Sequence, residues 1–228
     1  MAGSAFLYST SPSPHELVIL QQVQRSHPGH RRPISAVVLQ TPLDEPGDLH
    51  GLEQHFCTKG IDVRLVDSGL HTREDAYRSA VVQRLAEADL VLITGGSPLR
   101  IHEATVGTPA LAALRAAHDE GAVIAGCSAG ALVLGVGMIN GSRDARKVQS
   151  LWGWLPSTLV APHFGNYDLD PWLNAFPTCT VLGIPDGAMA LVSQLLEVEA
   201  VGPEPLKLVR RGDTSPLTVT ANDRIRLP

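Results

Sequence analysis

The chain has 228 residues, with 18 Lys and Arg against 23 Asp and Glu for a net charge of −5, and 44% of its residues are apolar. That is enough for one sizeable core, while the acidic balance and basic residues that are mostly arginines scattered singly advertise no polyanion-binding patch, so nucleic acid is not an expected partner. No run of about 18 apolar residues could span a bilayer, residues 1–14 do not have the layout of a signal peptide, and Cys57, Cys127 and Cys179 form no C-x-x-C pair. The composition therefore predicts a soluble, cytoplasmic protein with no membrane partner, no disulfide framework and no structural metal site.

In chain order, apolar runs bounded by turn residues predict strands at 5–8, 34–40, 62–68, 88–96 and 122–128. Helices are expected between them. The segment 14–26 places Leu17, Leu20 and Val23 at helical spacing, and 73–87 does the same with Ala76, Ala80 and Leu85. Thr108-Pro109 is a cap followed by a first-turn proline, opening a helix over 109–119 that carries Leu111, Leu114 and His118 on one stripe and ends at Gly121. Continuous apolar strands alternating with helices predict an α/β fold, a three-layer sandwich whose mostly parallel sheet is covered on both faces. Beyond 140 a strand is expected at 157–164, a short helix at 168–176, and a strand pair at 180–184 and 188–193. The tail segments "LLEVEAVG", "PLKLVRR", "LTVTA" and "RIRLP" read as antiparallel strands extending one sheet edge. No linker or repeat interrupts the pattern, so a single domain is expected over 1–228, with a strand-rich extension from about 195.

The chemistry concentrates at "IAGCSAGA", residues 124–131, where "GCSAG" fits G-x-S-x-G between a predicted strand and the helix predicted over "AGALVLGVGM". Such a strand-to-helix elbow lifts its central side chain above the sheet and tolerates only small neighbours, here Ala125, Gly126, Ala129 and Gly130. Ser128 occupies the nucleophile position, while Cys127 faces sideways or into the sheet as a small buried hydrophobe. A serine hydroxyl needs a base. Eight of the nine histidines precede Ser128, and His163 alone follows it, ending the apolar run in "LVAPHFGNYD" where open α/β sheets place ligand groups. The Ala129 N–H at the helix start and the Gly96 N–H in "LVLITGGSP" are candidate oxyanion donors.

"LITGGSP", "GCSAGALVLG", "APHFGNYD" and "LGIPDGAMALV", in that order over roughly 85–193, resemble the S51 peptidase family, which includes aspartyl dipeptidases and cyanophycinases. The resemblance implies a fold like that of class I glutamine amidotransferases, related to flavodoxin-like sheets. It also implies a nucleophilic Ser128, a catalytic His163, oxyanion donors at Gly96 and Ala129, no metal and no organic cofactor. The third triad member of the dipeptidases falls near Asp144, with Asp186 and Asp168 as alternatives. Ser97, which stands with Pro98 where the family usually carries Asn, Asp or Gln, and Asn166 beside the histidine are candidate substrate contacts. No arginine lies between His163 and Arg210 to hold an acidic side chain as in aspartyl dipeptidases, and the polar, arginine-rich surroundings of the cyanophycinase histidine are replaced by Ala161, Pro162, Asn166, Asp168 and Asp170. The expected function is a serine hydrolase acting on small peptides without strict Asp selectivity. The resemblance and the strand-rich tail are also compatible with a homodimer. The rival readings are a silent binding or assembly module and an ordinary esterase, the latter opposed by the lack of any histidine after 163.

Overall fold

The computed structural model describes residues 3–10, 16–26, 33–41, 43, 45, 47–58, 62–140, 147–166, 168–221 and 223–228. The first half comprises β1 (Ala5–Tyr8), α1 (Glu16–Ser26), β2 (Ile34–Leu39), α2 (Leu49–Thr58), β3 (Val63–Asp67), α3 (Ser79–Ala86), β4 (Leu90–Ile93), α4 (Pro98–Thr105), α5 (Pro109–Glu120) and β5 (Val123–Cys127). There follow α6 (Ala129–Leu132), β6 (Gly137–Asn140), β7 (Lys147–Ser150), β8 (Thr158–Pro162), α7 (Asp170–Ala175), β9 (Thr180–Ile184), β10 (Met189–Val192), β11 (Glu197–Val201), β12 (Leu206–Arg210), β13 (Leu217–Val219) and β14 (Arg224–Arg226).

The strands make an eight-stranded sheet in the order β14-β11-β10-β1-β5-β4-β2-β3, a four-stranded sheet β13-β12-β9-β8 and a hairpin of β6 and β7. From β1 to β3 the large sheet is parallel, and β10, β11 and β14 complete it antiparallel. This is a mixed α/β fold with a mostly parallel central sheet, as the alternation of strands and helices predicts. Side-chain alternation along β1 explains its two covered faces. Phe6 and Tyr8 pack with Ile19, Leu20 and Val23 of α1 and Phe56 of α2, while Ala5 and Leu7 join the core built on α3, α4, α5 and the second sheet. Each fully buried leucine or phenylalanine contributes about 1.5–3 kcal/mol, which is why the sheet requires cover on both sides.

Several boundaries differ from expectation for identifiable reasons. The segment 73–87 divides into a 3-10 turn at Asp75–Tyr77 and α3, because Arg78 is extended (φ −73°, ψ 126°). The helix after the elbow stops after four residues, Ala129–Leu132. Its Gly-rich continuation turns into β6, where a side chain at Gly137 would press on the Phe176 ring and the Gln149 carbonyl. Ser97-Pro98 is a cap and first-turn proline opening α4, the device that Thr108-Pro109 repeats at α5. The strands at 180–184 and 188–193 are not a pair: β9 lies between β8 and β12, while β10 pairs with β1 in the other sheet. The tail likewise extends two edges, β11 and β14 on the large sheet and β12 and β13 on the smaller.

Candidate active site

The site forms where β1, β4, β5, β8 and β9 end. β5 delivers Cys127 and then Ser128, whose backbone turns to φ 49°, ψ −105° before α6 begins. A non-glycine residue with positive φ is uncommon and strained, of order 1–3 kcal/mol, and here it falls at the sharp strand-to-helix turn that a G-x-S-x-G pattern predicts. The surrounding backbone leaves no room for side chains. A Cβ on Gly126 would lie 2.7 Å from the Ala131 nitrogen, and one on Gly130 would lie 2.8 Å from the Ile93 Cβ. The Ser128 N–H is tied to the Tyr8 carbonyl at 2.8 Å, anchoring the elbow to β1.

His163 follows the last residue of β8 and is also strained, at φ 55°. Its Nε2 lies 3.0 Å from Ser128 Oγ and its Nδ1 lies 2.6 Å from Asp186 Oδ1. A carboxylate can only accept, so Nδ1 carries the proton and Nε2 is left to accept from the serine hydroxyl. The two links run in series, Ser128 to His163 to Asp186. Gly183 on β9 makes room for this arrangement, since a Cβ there would collide with the Phe164 ring next to His163. The imidazole is 29% and the carboxylate 57% exposed, so the constellation faces solvent where a substrate could reach it.

Asp186, an alternative at the sequence level, is thus the carboxylate beside the histidine. Asp144 lies outside the described residues. Asp168 is exposed, and its carboxylate accepts the Asp170 N–H at 3.2 Å. Of the expected oxyanion donors, Ala129 is the first residue of α6, ahead of the Ala131 and Leu132 N–H groups that both return to the Ser128 carbonyl, at 3.0 and 2.9 Å. Gly96 adopts φ 127°, a conformation that favours glycine. Its neighbour Gly95 lies beside the serine, and a Cβ there would meet Ser128 Cβ at 3.5 Å, an ordinary contact. Ser97 turns its hydroxyl to the Arg100 N–H at 3.4 Å as the α4 cap. Asn166 is exposed, and its N–H donates to the His163 carbonyl at 3.1 Å.

Cys127 is placed differently from its neighbour. Its thiol points toward the α1 and α2 face, 3.6 Å from the Ser9 carbonyl oxygen. Burial pushes it up to about 11, only partly offset by a hydrogen bond from Gly95. It therefore stays a neutral thiol at neutral pH. Beside it, a cavity of about 300 Å³ bounded by Tyr8, Leu92, Gly95 and Cys127 enters the apolar layer under α1 and α2. A larger cavity of about 640 Å³, bounded by Gln40, Leu43, Arg73, Arg100, Glu103 and Ala104, lies toward the ends of β2 and β3. None of Ser128, His163 or Asp186 lines either cavity.

Known proteins resemble this chain in sequence and in fold. Residues 54–195 match the model of peptidase family S51. Cyanophycinases from Synechococcus elongatus and from Thermosynechococcus vestitus are each 34% identical over 167 residues, covering 68% of this chain and 52% of theirs. The chain thus spans about half the length of these curated relatives. In fold it is similar to a peptidase from an acI-B1 Actinobacterium, with a TM-score of 0.76 at 20% identity, covering 100% of this chain and 98% of the other. A putative peptidase E protein from Listeria monocytogenes EGD-e is more distant, with a TM-score of 0.55 at 13% identity, covering 92% and 99%. With the family model matching well over half of its residues, and relatives 34% identical across 68% of it, the chain belongs to peptidase family S51.

Proposed function

We propose that the chain is a serine-type peptidase that cleaves amide bonds of short peptides through an acyl-enzyme. The observation that carries this reading is the series of contacts from Ser128 Oγ to His163 Nε2 at 3.0 Å and from His163 Nδ1 to Asp186 at 2.6 Å, mounted on a strained elbow. Ser128 Oγ attacks the scissile carbonyl carbon as His163 Nε2 takes its proton. The Gly96 and Ala129 N–H groups receive the carbonyl oxygen as it becomes an oxyanion. Asp186 holds the Nδ1–H tautomer and stabilises the imidazolium. His163 then returns the proton to the leaving amine, the C–N bond breaks, and a water activated by the same imidazole hydrolyses the ester to release the acid and restore Ser128.

Family membership supports a peptidase. Strict selectivity for an acidic side chain is not part of the proposal, because no arginine follows the histidine before Arg210. Cyanophycin is not taken over from the curated relatives either, since the chain spans about half of their length and lacks the polar, arginine-rich histidine surroundings.

The test is covalent labelling. A fluorophosphonate reacts when Ser128 Oγ displaces fluoride from phosphorus and His163 takes the serine proton, so a single phosphonyl group on Ser128 is expected, with none on Ser128→Ala. Wild-type protein that hydrolyses a dipeptide library, and a Ser128→Ala variant that does not, would complete the case. Full retention of hydrolysis by Ser128→Ala would overturn it. Silence toward both probe and peptides would favour a binding or assembly module instead.

A further inference from the structure

The residue after β1, Ser9, belongs to none of the family-like motifs, yet it joins the elements that hold the site. It is 1% exposed. Its hydroxyl accepts the His163 backbone N–H at 2.8 Å and donates to the Ile184 carbonyl at 2.6 Å. Ile184 is the last residue of β9, two positions before Asp186. The preceding residue, Tyr8, receives the Ser128 N–H at 2.8 Å. The Tyr8-Ser9 pair therefore holds backbone atoms of Ser128 and His163 and of Ile184, two residues before Asp186, and it links the large sheet to the smaller one.

We propose that Ser9 is a positioning residue for hydrolysis, its hydroxyl fixing the strained His163 backbone and the end of β9 so that the imidazole stays between Ser128 Oγ and the Asp186 carboxylate. The inference rests on reading those three residues as the catalytic series. The physical argument is that one hydroxyl offers one proton and two lone pairs, and here it satisfies a donor and an acceptor in a dry environment. Its removal leaves both without a partner. At φ 55° the His163 backbone lies in the small, sparsely populated left-handed region, so its neighbours must hold it there. Losing the anchor therefore moves the base relative to the nucleophile, and displacement by about 1 Å can cost about 100-fold in rate.

A buried hydroxyl that only joins two segments would lose stability and nothing more. The chain contains a matched control. Thr105 is also 1% exposed, donates to the Ile101 carbonyl at 2.6 Å and accepts the Trp152 indole N–H at 2.8 Å, and its hydroxyl bonds to none of Ser128, His163 and Asp186. The experiment compares Ser9→Ala, Ser9→Thr and Thr105→Val in the full chain. Its readouts are the maximal rate of fluorophosphonate labelling at Ser128, the half-saturating probe concentration, the Tm, and the downfield proton resonance of the His163 Nδ1–H assigned by its loss in His163→Gln. Expected for Ser9→Ala is a maximal rate lower by about 10- to 100-fold, a half-saturating concentration within about twofold of wild type, and a shifted or broadened resonance. Thr105→Val should lower the Tm while leaving the rate and the resonance as in wild type, and Ser9→Thr should restore most of the rate. Equal kinetic losses in Ser9→Ala and Thr105→Val, or an unchanged resonance in Ser9→Ala, would overturn the proposal. Absence of both labelling and peptide hydrolysis in the wild type would instead defeat the peptidase reading, and the resonance comparison would then decide the role of Ser9 on its own. If Ser9→Ala does not fold, Ser9→Cys, whose thiol is only a weak donor and acceptor, is judged by the same criteria.

Discussion

Replacing Asp186 by Asn keeps the volume of the side chain and removes its charge. The carboxylate oxygen 2.6 Å from His163 Nδ1 becomes either a neutral acceptor or an amide donor. As a donor it would force the proton onto Nε2, which could then no longer accept from Ser128. As an acceptor it would stabilise the imidazolium less. In a fully buried triad this change costs about 10⁴-fold. Here the carboxylate is 57% exposed, so water supplies part of the lost solvation and screens the charge. The expected loss is accordingly smaller, about 10²- to 10³-fold in kcat/KM, or about 3–4 kcal/mol of barrier. It should fall mainly on kcat, because the residue faces the base and not the bound peptide. Steady-state hydrolysis of the best dipeptide from a library, checked against the labelling rate at Ser128, measures it. Asp144→Asn and Asp168→Asn should leave kcat within about threefold of wild type. A normal rate in Asp186→Asn, or a large loss in Asp144→Asn, would refute the assignment of the acid.

Gly130→Ala places a methyl group against Ile93 and its backbone, so overpacking of about 1–3 kcal/mol is expected. The Tm should fall by about 2–4 °C per kcal/mol, and labelling should slow as the elbow shifts. Cys127 introduces an alkaline dependence. Its folded-state thiol is raised from 9.0 to about 11, so the folded state retains a proton that the unfolded state releases. Stability from this group is present below about pH 9 and lost as the pH rises toward about 11. Cys127→Ala should flatten that part of a pH-dependent denaturation series. In the wild type, alkylation at neutral pH should reach the exposed Cys57 well before Cys127.

Much of this was legible from residue order. The apolar runs located β1 to β5 because a strand covered on both faces has to be continuously hydrophobic. The G-x-S-x-G pattern marked Ser128, and a lone downstream histidine marked His163. What failed were features whose partners are distant or whose local pattern serves two purposes. Asp186 looks like any carboxylate in a loop until β9 brings it under the imidazole. Ser97-Pro98 read as an altered substrate loop, although a serine before proline is equally the start signal of a helix, and α4 begins there. α2 was missed because Gly51 and its alternating polar residues weaken the helical period. Ser9 had no signal at all, since its two partners lie 154 and 175 residues further along the chain.

The central place of β1 also bears on how the protein matures during synthesis. Flanked by β5 and β10, it pairs Ala5 with Ile124 on one side and Val192 on the other. A strand made well before both of its neighbours must wait for partners that leave the ribosome far later, and such non-local pairing makes for slow folding. Ser128, His163 and Asp186 become neighbours only after residue 186 has emerged. A nascent chain shorter than that would lack the contacts that join Ser128, His163 and Asp186.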